Sequence, residues 1–375
     1  MKNPTKVTFI FQSGRKGRLE KHNAYAKDMF YTFFNFKNEF DTDLIEFGGF
    51  NDTKFNWFLF YFEREFVRRF LKIPLFATFL TNKMNYEKII NSDQVIMSSQ
   101  RVACSTLPMI IKARLSRKKT KFNFFVMGMF SSKPKYKIFI PFQSIYFKVL
   151  IYLSNNVFFI GRGEYEFAIK KHKLLKSKFS YISFGVDTDF WSEDNEFESK
   201  DREGILFVGN DSNRDLKLLL DIAEELNDIK FTFLTSQIFD KKIPNNVELI
   251  KGSWGENELS DTDVKELYLS HRLTLVPLIE SLQPSGQSVT LQSMSVGTPV
   301  VLSKTSGLWD TKNLVDNVNI LLIENNTLDE WINVIKINYY DNEKLKMISK
   351  QSTAVVEDAL SLDLFYNQIK SKLEL

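Results

Sequence analysis

Short apolar runs alternate with helix-length stretches along nearly the whole chain, and that alternation leaves few folds open. In the first half, Val7 to Phe11 reads as a strand that ends in the loop Gln12-Ser13-Gly14-Arg15-Lys16-Gly17. A helix is expected from about Lys21 to Phe36, with further strands at Asp43–Phe47, Gln94–Ser98, Lys121–Val126 and Asn156–Ile160. The second half repeats the pattern. Strands are expected at Gly204–Val208, Lys230–Leu234, Val247–Ile250, Leu273–Val276 and Thr298–Val301. Helices are expected at Asp215–Leu226, Ser260–Leu269 and Ser288–Val296. Alternation of this kind predicts an α/β protein with parallel sheets covered by helices on both faces. A chain of 375 residues exceeds what one core usually holds, so two such sheets facing a cleft are expected. The Glu-, Asp-, Ser- and Asn-rich stretch Ser192–Arg202 has linker composition. It predicts domains over 1–195 and 196–355, followed by a helix within 356–375.

Composition narrows the setting. The single cysteine, Cys104, cannot form an internal disulfide and sits in the apolar run Val102-Ala103-Cys104, where it reads as a small core residue. The apolar run at Val7 is too short, and too soon followed by Arg15, Lys16 and Arg18, for a signal peptide. Nothing approaches the roughly 18 apolar residues of a spanning helix, and Ile138–Leu153, the nearest stretch, is expected to be a buried helix. A cytoplasmic protein is therefore expected. Charge is unevenly placed: residues 1–195 hold 32 Lys+Arg against 17 Asp+Glu, whereas the remainder holds 18 against 29. From Arg101 to Leu150 there are 11 basic residues and no acidic one. The N-terminal half is thus directed at something anionic.

The segment richest in chemistry is Gln283-Pro284-Ser285-Gly286-Gln287-Ser288, continued through Gln292 to Gly297-Thr298-Pro299-Val300-Val301. A small-residue loop that opens a helix presents free amides, backed by the helix dipole, to a diphosphate. Ser285 and Ser288 add hydroxyls, while Gln283, Gln287 and Gln292 offer the paired donors and acceptors that ribose and sugar hydroxyls need. An ordinary capped helix between two strands would give the same pattern. Arg214 stands at an expected helix start, where the dipole disfavours a cation unless an anion is near. Gly14 would let backbone approach a ligand, or simply make a tight turn. Arg162, between two glycines, is a weaker candidate.

These residues carry a resemblance. Segment 283–301 resembles the sugar-donor segment of GT-B glycosyltransferases, specifically the retaining family 4. Ile182-Ser183-Phe184-Gly185-Val186-Asp187 is similar to that family's "asn-gly-val-asp" signature, and Leu206-Phe207-Val208-Gly209 with Arg214 and Lys217 to its first C-domain strand and basic residues. The resemblance covers about Ile182 to Val301 in matching order. It implies two Rossmann-like domains, a nucleotide-sugar donor, no metal and no cofactor. It implies transfer of a hexose-type sugar with retention, and a final helix that crosses back to the N-domain. Donor contacts would come from Gly14, Gly209, Arg214, Lys217, Gln283, Ser285, Gly286, Gln287, Ser288 and Gln292. Arg214, Lys217 and the amides around Gly286 would stabilise the departing diphosphate. Two positions depart from the family: its paired glutamates match Pro284 and Gln292, with Glu280 and Gln283 just upstream. No histidine follows Phe122–Val126, where the loop reads Met127-Gly128-Met129-Phe130; His22, His172 and His271 lie elsewhere.

Phe55, Leu59, Phe62, Phe66 and Phe70 would share one helical face, with Arg64, Arg68 and Lys72 grouped apart. A core helix and an interfacial helix on anionic lipid both fit. Arg114-Leu115-Ser116-Arg117-Lys118-Lys119-Thr120-Lys121 adds a basic cluster suited to headgroups. No recognition motif accompanies the charge, which argues against nucleic acid. The expected acceptor is a membrane lipid such as diacylglycerol or a lipid-linked intermediate, met at the inner face of a membrane. A soluble or polysaccharide acceptor, or a non-catalytic sugar-nucleotide or membrane binder, are the alternatives.

Overall fold

The computed structural model describes residues 5–19, 25–48, 53–192, 202–252 and 259–375. Most of the expected linker, and His22, lie outside them. The described residues form two compact units: the first holds residues up to 19 with 30–182 and 366–375, the second holds 25–29 and 183–365.

The first unit is a six-stranded parallel sheet of β1 (Lys6–Phe11), β2 (Asp41–Glu46), β3 (Gln94–Met97), β4 (Lys121–Val126), β5 (Asn156–Phe159) and β6 (Phe179–Tyr181), in the order β2-β1-β3-β4-β5-β6. Its helices are α1 (Arg15–Leu19), α2 (Phe33–Glu39), α3 (Lys54–Tyr61), α4 (Lys83–Ile90), α5 (Gln100–Leu115), α6 (Ile140–Leu153) and α7 (Arg162–Lys171). Val95, Ile96 and Met97 are fully buried, as in a strand covered on both faces. Each such side chain contributes about 1.5–3 kcal/mol by leaving water. Cys104 is buried among them.

The second unit is also six-stranded and parallel: β7 (Ile205–Val208), β8 (Phe231–Leu234), β9 (Val247–Ile250), β10 (Leu273–Val276), β11 (Val300–Ser303) and β12 (Leu321–Ile323), ordered β12-β11-β10-β7-β8-β9. It carries α8 (Leu216–Glu225), α9 (Asp261–Ser270), α10 (Gln287–Ser295), α11 (Leu328–Tyr339) and α12 (Asn342–Ala359). The last helix, α13 (Leu362–Leu373), starts in this unit, and its residues from Tyr366 on belong to the first. There Tyr366 meets Phe36 edge-on at 4.9 Å, and Gln94 Nε2 donates to the Leu373 carbonyl at 3.3 Å.

Two sequence expectations are corrected. The helix expected over Lys21–Phe36 is broken: Asp28–Phe30 is a single 3-10 turn, and Tyr31 and Thr32 take left-handed φ of 48° and 68° before α2 begins at Phe33. The break lets Asp28 turn into the second unit's core while Phe33 and Phe36 pack on Phe9. The helix over Ile138–Leu153 forms as α6, but it is not buried: Phe142, Ile145, Val149 and Tyr152 face outward. The aromatic stripe at Phe55–Phe70 is also turned outward, its helix burying Glu63 and Val67 instead.

Candidate functional site

Ligands of open parallel sheets sit beyond the carboxyl ends of strands, where the strand order reverses. In the second unit the chain runs from β7 out to β9 and then returns to β10 on the other side of β7. The reversal therefore lies between β7 and β10. The loops leaving those two strands contain Gly209–Asp215 and Pro277–Gly286. They are tied together: Asp215 N donates to the Pro277 carbonyl at 3.1 Å, and Ile279 N to the Asn213 carbonyl at 2.9 Å. Asn213 Nδ2 also donates to Ser285 Oγ at 2.7 Å.

Arg214 lies inside this clasp with its side chain only 3% exposed. It runs over Gly209, where an added Cβ would lie 2.2 Å from its Nε. Its Nη1 would be 3.1 Å from a Cβ on Gly286. Gly286 takes φ +80° and is the N-cap of α10, without any side-chain cap and with no acidic residue in the first turn. The first amides of α10 therefore have no intrahelical acceptor. Arg214 Nε and Nη1 are buried and make no hydrogen bond. Asp211 Oδ2, 3.3 Å from Nη1, is the near counter-charge, but it sits at the more exposed edge. Burial pulls the Arg214 pKa below its ordinary value, opposed by Asp211. A buried cation whose Nε and Nη1 make no hydrogen bond, beside a helix N-terminus of like sign, has the chemistry that suits an anion.

The other expected residues are distributed unevenly around this point. Ser285 in the loop and Gln287 at the start of α10 are buried, and Ser288 is half-buried. Gln283 is fixed by its amide to Ser281 Oγ at 3.1 Å, and its carbonyl packs against Gly307. Lys217 is exposed on the first turn of α8. Glu280 is committed to Ser306. Gly14 belongs to the first unit, at φ +102°. The amides of Arg15 and Lys16 after it already have a carboxylate acceptor, Glu46. Arg162 covers the Tyr181 ring at 4.8 Å, and Arg114 is held by the carbonyls of Leu153 and Thr120. His172 packs on Phe130 at 5.4 Å, and His271 is held by Thr232 Oγ1 and the Leu267 carbonyl.

Gln292 has a different part from the one expected of it. Its Nε2 donates to Asp28 Oδ2 at 2.8 Å and its Oε1 accepts from Tyr268 at 3.4 Å, so both ends of the amide are engaged within the fold. Asp28 also accepts from Trp191 Nε1 at 2.9 Å and from the Asp187 amide at 2.8 Å. This network fixes α10 from below. Sequence reasoning missed Asp28, because its partners lie up to 264 residues away.

Burial raises the Asp28 carboxyl pKa to about 6, against its three donors. Burial likewise raises Glu164, which accepts from the Gly128 and Phe130 amides, to about 7. Both exceed the unfolded values of 3.8 and 4.5, so the folded chain holds protons that the unfolded chain has lost. That stability is fully present below the unfolded values and is lost as pH rises through about 6 and about 7. Urea midpoints measured from about pH 5 to about pH 8 should therefore be highest at the acidic end. A midpoint that falls steadily on acidification would show that both groups are already ionised in the fold.

No protein-family model matches the chain, and no curated protein matches it by sequence. Solved structures do match. A glycosyltransferase from Rickettsia africae is 14% identical, aligned over 99% of this chain and 98% of its own, with a TM-score of 0.66. HepE from Anabaena, in complex with UDP-glucose, is 14% identical over 98% of this chain and 99% of its own, at 0.66. Sucrose-phosphate synthase from Thermosynechococcus elongatus is 11% identical over 98% of both chains, at 0.69. The two parallel six-stranded sheets with flanking helices are thus a GT-B α/β fold.

Proposed function

We propose that this chain is a glycosyltransferase that takes a hexose from a UDP-sugar and transfers it, with retention, to a membrane lipid such as diacylglycerol or a lipid-linked intermediate. The observation that carries the reading is Arg214, buried with two nitrogens that make no hydrogen bond, against the uncapped start of α10. That group suits the diphosphate of a nucleotide sugar, and similar structures hold UDP and UDP-glucose. In the reaction, the bond from the anomeric carbon to the diphosphate oxygen breaks as the acceptor oxygen bonds to that carbon on the same face. The acceptor's proton passes to the departing phosphate oxygen. Arg214 and the α10 amides hold the negative charge that grows on the diphosphate, and the fold supplies them already oriented. The acceptor side rests on the excess of Lys and Arg in residues 1–195 and on the outward aromatic residues of the first unit.

The test is nucleotide release from UDP-glucose and other nucleotide sugars, with and without vesicles that contain diacylglycerol. Release that depends on those vesicles, with a labelled glycolipid product, is the expected result. Release that is indifferent to vesicles would move the acceptor to a soluble sugar or glycan. UDP binding without any turnover would make the chain a binder, a reading favoured by Pro284 and Gln292, which put no carboxylate at either end of the loop.

Gly209→Ala tests the same site without removing a charge. Its Cβ would press on Nε, Cδ and Cγ of the buried Arg214 and shift the guanidinium from its place beside Gly286. UDP affinity measured by calorimetry should fall about ten-fold, roughly 1.4 kcal/mol, with a modest fall in melting temperature from the added crowding. Unchanged affinity would place the diphosphate elsewhere.

A further inference from the structure

A helix on a sheet buries its apolar face and turns its polar face to water. α6 does not. Gln143, Phe147, Leu150 and Ile151 point inward, while Phe142 (59% exposed), Ile145 (58%), Val149 and Tyr152 (69%) form a stripe on the outer side. At its N-terminal end the stripe continues into the aromatic residues of the π-helical segment Phe62–Arg68 that follows α3, and Phe70 just beyond it. Phe139 lies 5.8 Å from Phe66 and 6.2 Å from Phe70, and Tyr136 stacks on Phe70 at 6.1 Å. The result is one continuous outward surface built from two segments far apart in sequence.

The charge around this surface has one sign. Lys133, Lys135, Lys137 and Lys148 are exposed beside α6, and no acidic residue occurs from Arg101 to Leu150. The acids of the other segment are neutralised: Glu63 is buried and accepts from Thr78, and Glu65 pairs with Arg64 and Arg69. A second copy of this chain seated here would bring lysines against lysines, which disfavours a symmetric dimer. Aromatic and aliphatic side chains ringed by lysines are instead suited to the boundary between acyl chains and anionic headgroups. A 14-residue helix, about 21 Å long, can lie in that plane. Among the described residues no helix is long and apolar enough to cross a membrane.

We propose that the outer face of α6, with the aromatic residues at Phe66 and Phe70, docks the first unit onto a bilayer containing anionic phospholipid. This deepens, and rests on, the reading of the chain as an enzyme with a lipid acceptor. The experiment is co-sedimentation of the full chain with vesicles of phosphatidylcholine, alone or mixed with phosphatidylglycerol. UDP affinity and mass in solution are measured on the same samples. The mixed vesicles should bind the protein, less so as salt is added. Phe142→Glu combined with Tyr152→Glu, and separately Lys135→Glu combined with Lys137→Glu, should each weaken binding at least ten-fold, roughly 1.4 kcal/mol, without changing UDP affinity. All four positions are exposed, so the fold is not at stake. Wild-type protein left in the supernatant, or variants that bind as well as wild type, would overturn the proposal. A wild-type dimer dissociated by the apolar variant would overturn it too, by making the face a contact between copies. Vesicle binding without UDP binding would leave the surface standing and remove the catalytic reading; the reverse would remove the surface alone.

Discussion

Arg214→Met should lower UDP-sugar affinity and turnover by roughly 10²-fold while leaving the melting temperature unchanged or slightly raised. The two halves of that expectation have one cause. In the fold, the Arg214 guanidinium is buried, its Nε and Nη1 make no hydrogen bond, and its near counter-charge is the more exposed Asp211 carboxylate, 3.3 Å from Nη1. A buried charge in that condition costs stability, and a methionine of similar length removes the cost while filling the space. With a diphosphate present, the same donors would make charge-assisted hydrogen bonds, whose loss is about 3 kcal/mol or 10²-fold. A merely structural arginine would behave the other way, with stability falling and any effect on binding following from it. Calorimetric titration with UDP and a thermal melt of the same variant separate the two. Wild-type affinity in Arg214→Met would end the proposal that this is the diphosphate site.

Gly185→Ala should destabilise the second unit by about 3 kcal/mol, read as a lower urea midpoint. A Cβ at Gly185 would lie 2.2 Å from the Ser361 carbonyl oxygen and 2.6 Å from its carbon. Those are backbone atoms, so no side chain can swing aside. The close approach is itself held by hydrogen bonds: Val186 N donates to the Leu360 carbonyl at 3.0 Å, and Leu362 N to the Val186 carbonyl at 2.7 Å. Separating the two segments to admit a methyl group loses these or strains them. Gly17→Ala is the matched comparison, since nothing lies within 4 Å of a Cβ there and Ala favours the helix. It should be neutral or mildly stabilising. Equal midpoints for the two variants would mean that the 185–361 contact does not form in solution.

What could be read from sequence, and what could not, divides along the range of the interactions involved. Strands such as Val247–Ile250 and Leu273–Val276 were legible, to the residue, because a short β-branched and apolar stretch between turn signals marks its own ends, whether it is buried like Leu273–Val276 or only partly covered like Val247–Ile250. The loop at Ser285–Gly286 was legible because a small-residue turn before a helix has local chemistry. Arg214 was legible by its misfit at a helix start. Asp28 was not, since its environment is made by Asp187, Trp191 and Gln292, and nothing near it in sequence signals them. The same limit explains the broken helix before α2. α6 failed for a different reason: composition shows that a helix is apolar, not which side finds a partner.

The Gly185 position shows how a short sequence pattern can matter for packing rather than chemistry. The glycine admits a neighbouring backbone, and Asp187 beside it accepts from the Lys27 amide at 2.9 Å and positions Asp28. None of these atoms needs to meet a ligand for the motif to matter.

Residues 25–29 are made early yet belong to the second unit, and residues 366–375 are made last yet belong to the first. During synthesis, then, the first sheet emerges from the ribosome more than a hundred residues before Tyr366 is available to cover Phe36. Asp28 likewise waits, until Gln292 appears. Neither unit can be cut out by a single pair of chain termini, and expression of 183–365 alone would leave Trp191 and Gln292 without their acceptor. A nascent chain stalled before its final helix would leave Phe36 without Tyr366 and present that part of the first unit's core to chaperones and proteases.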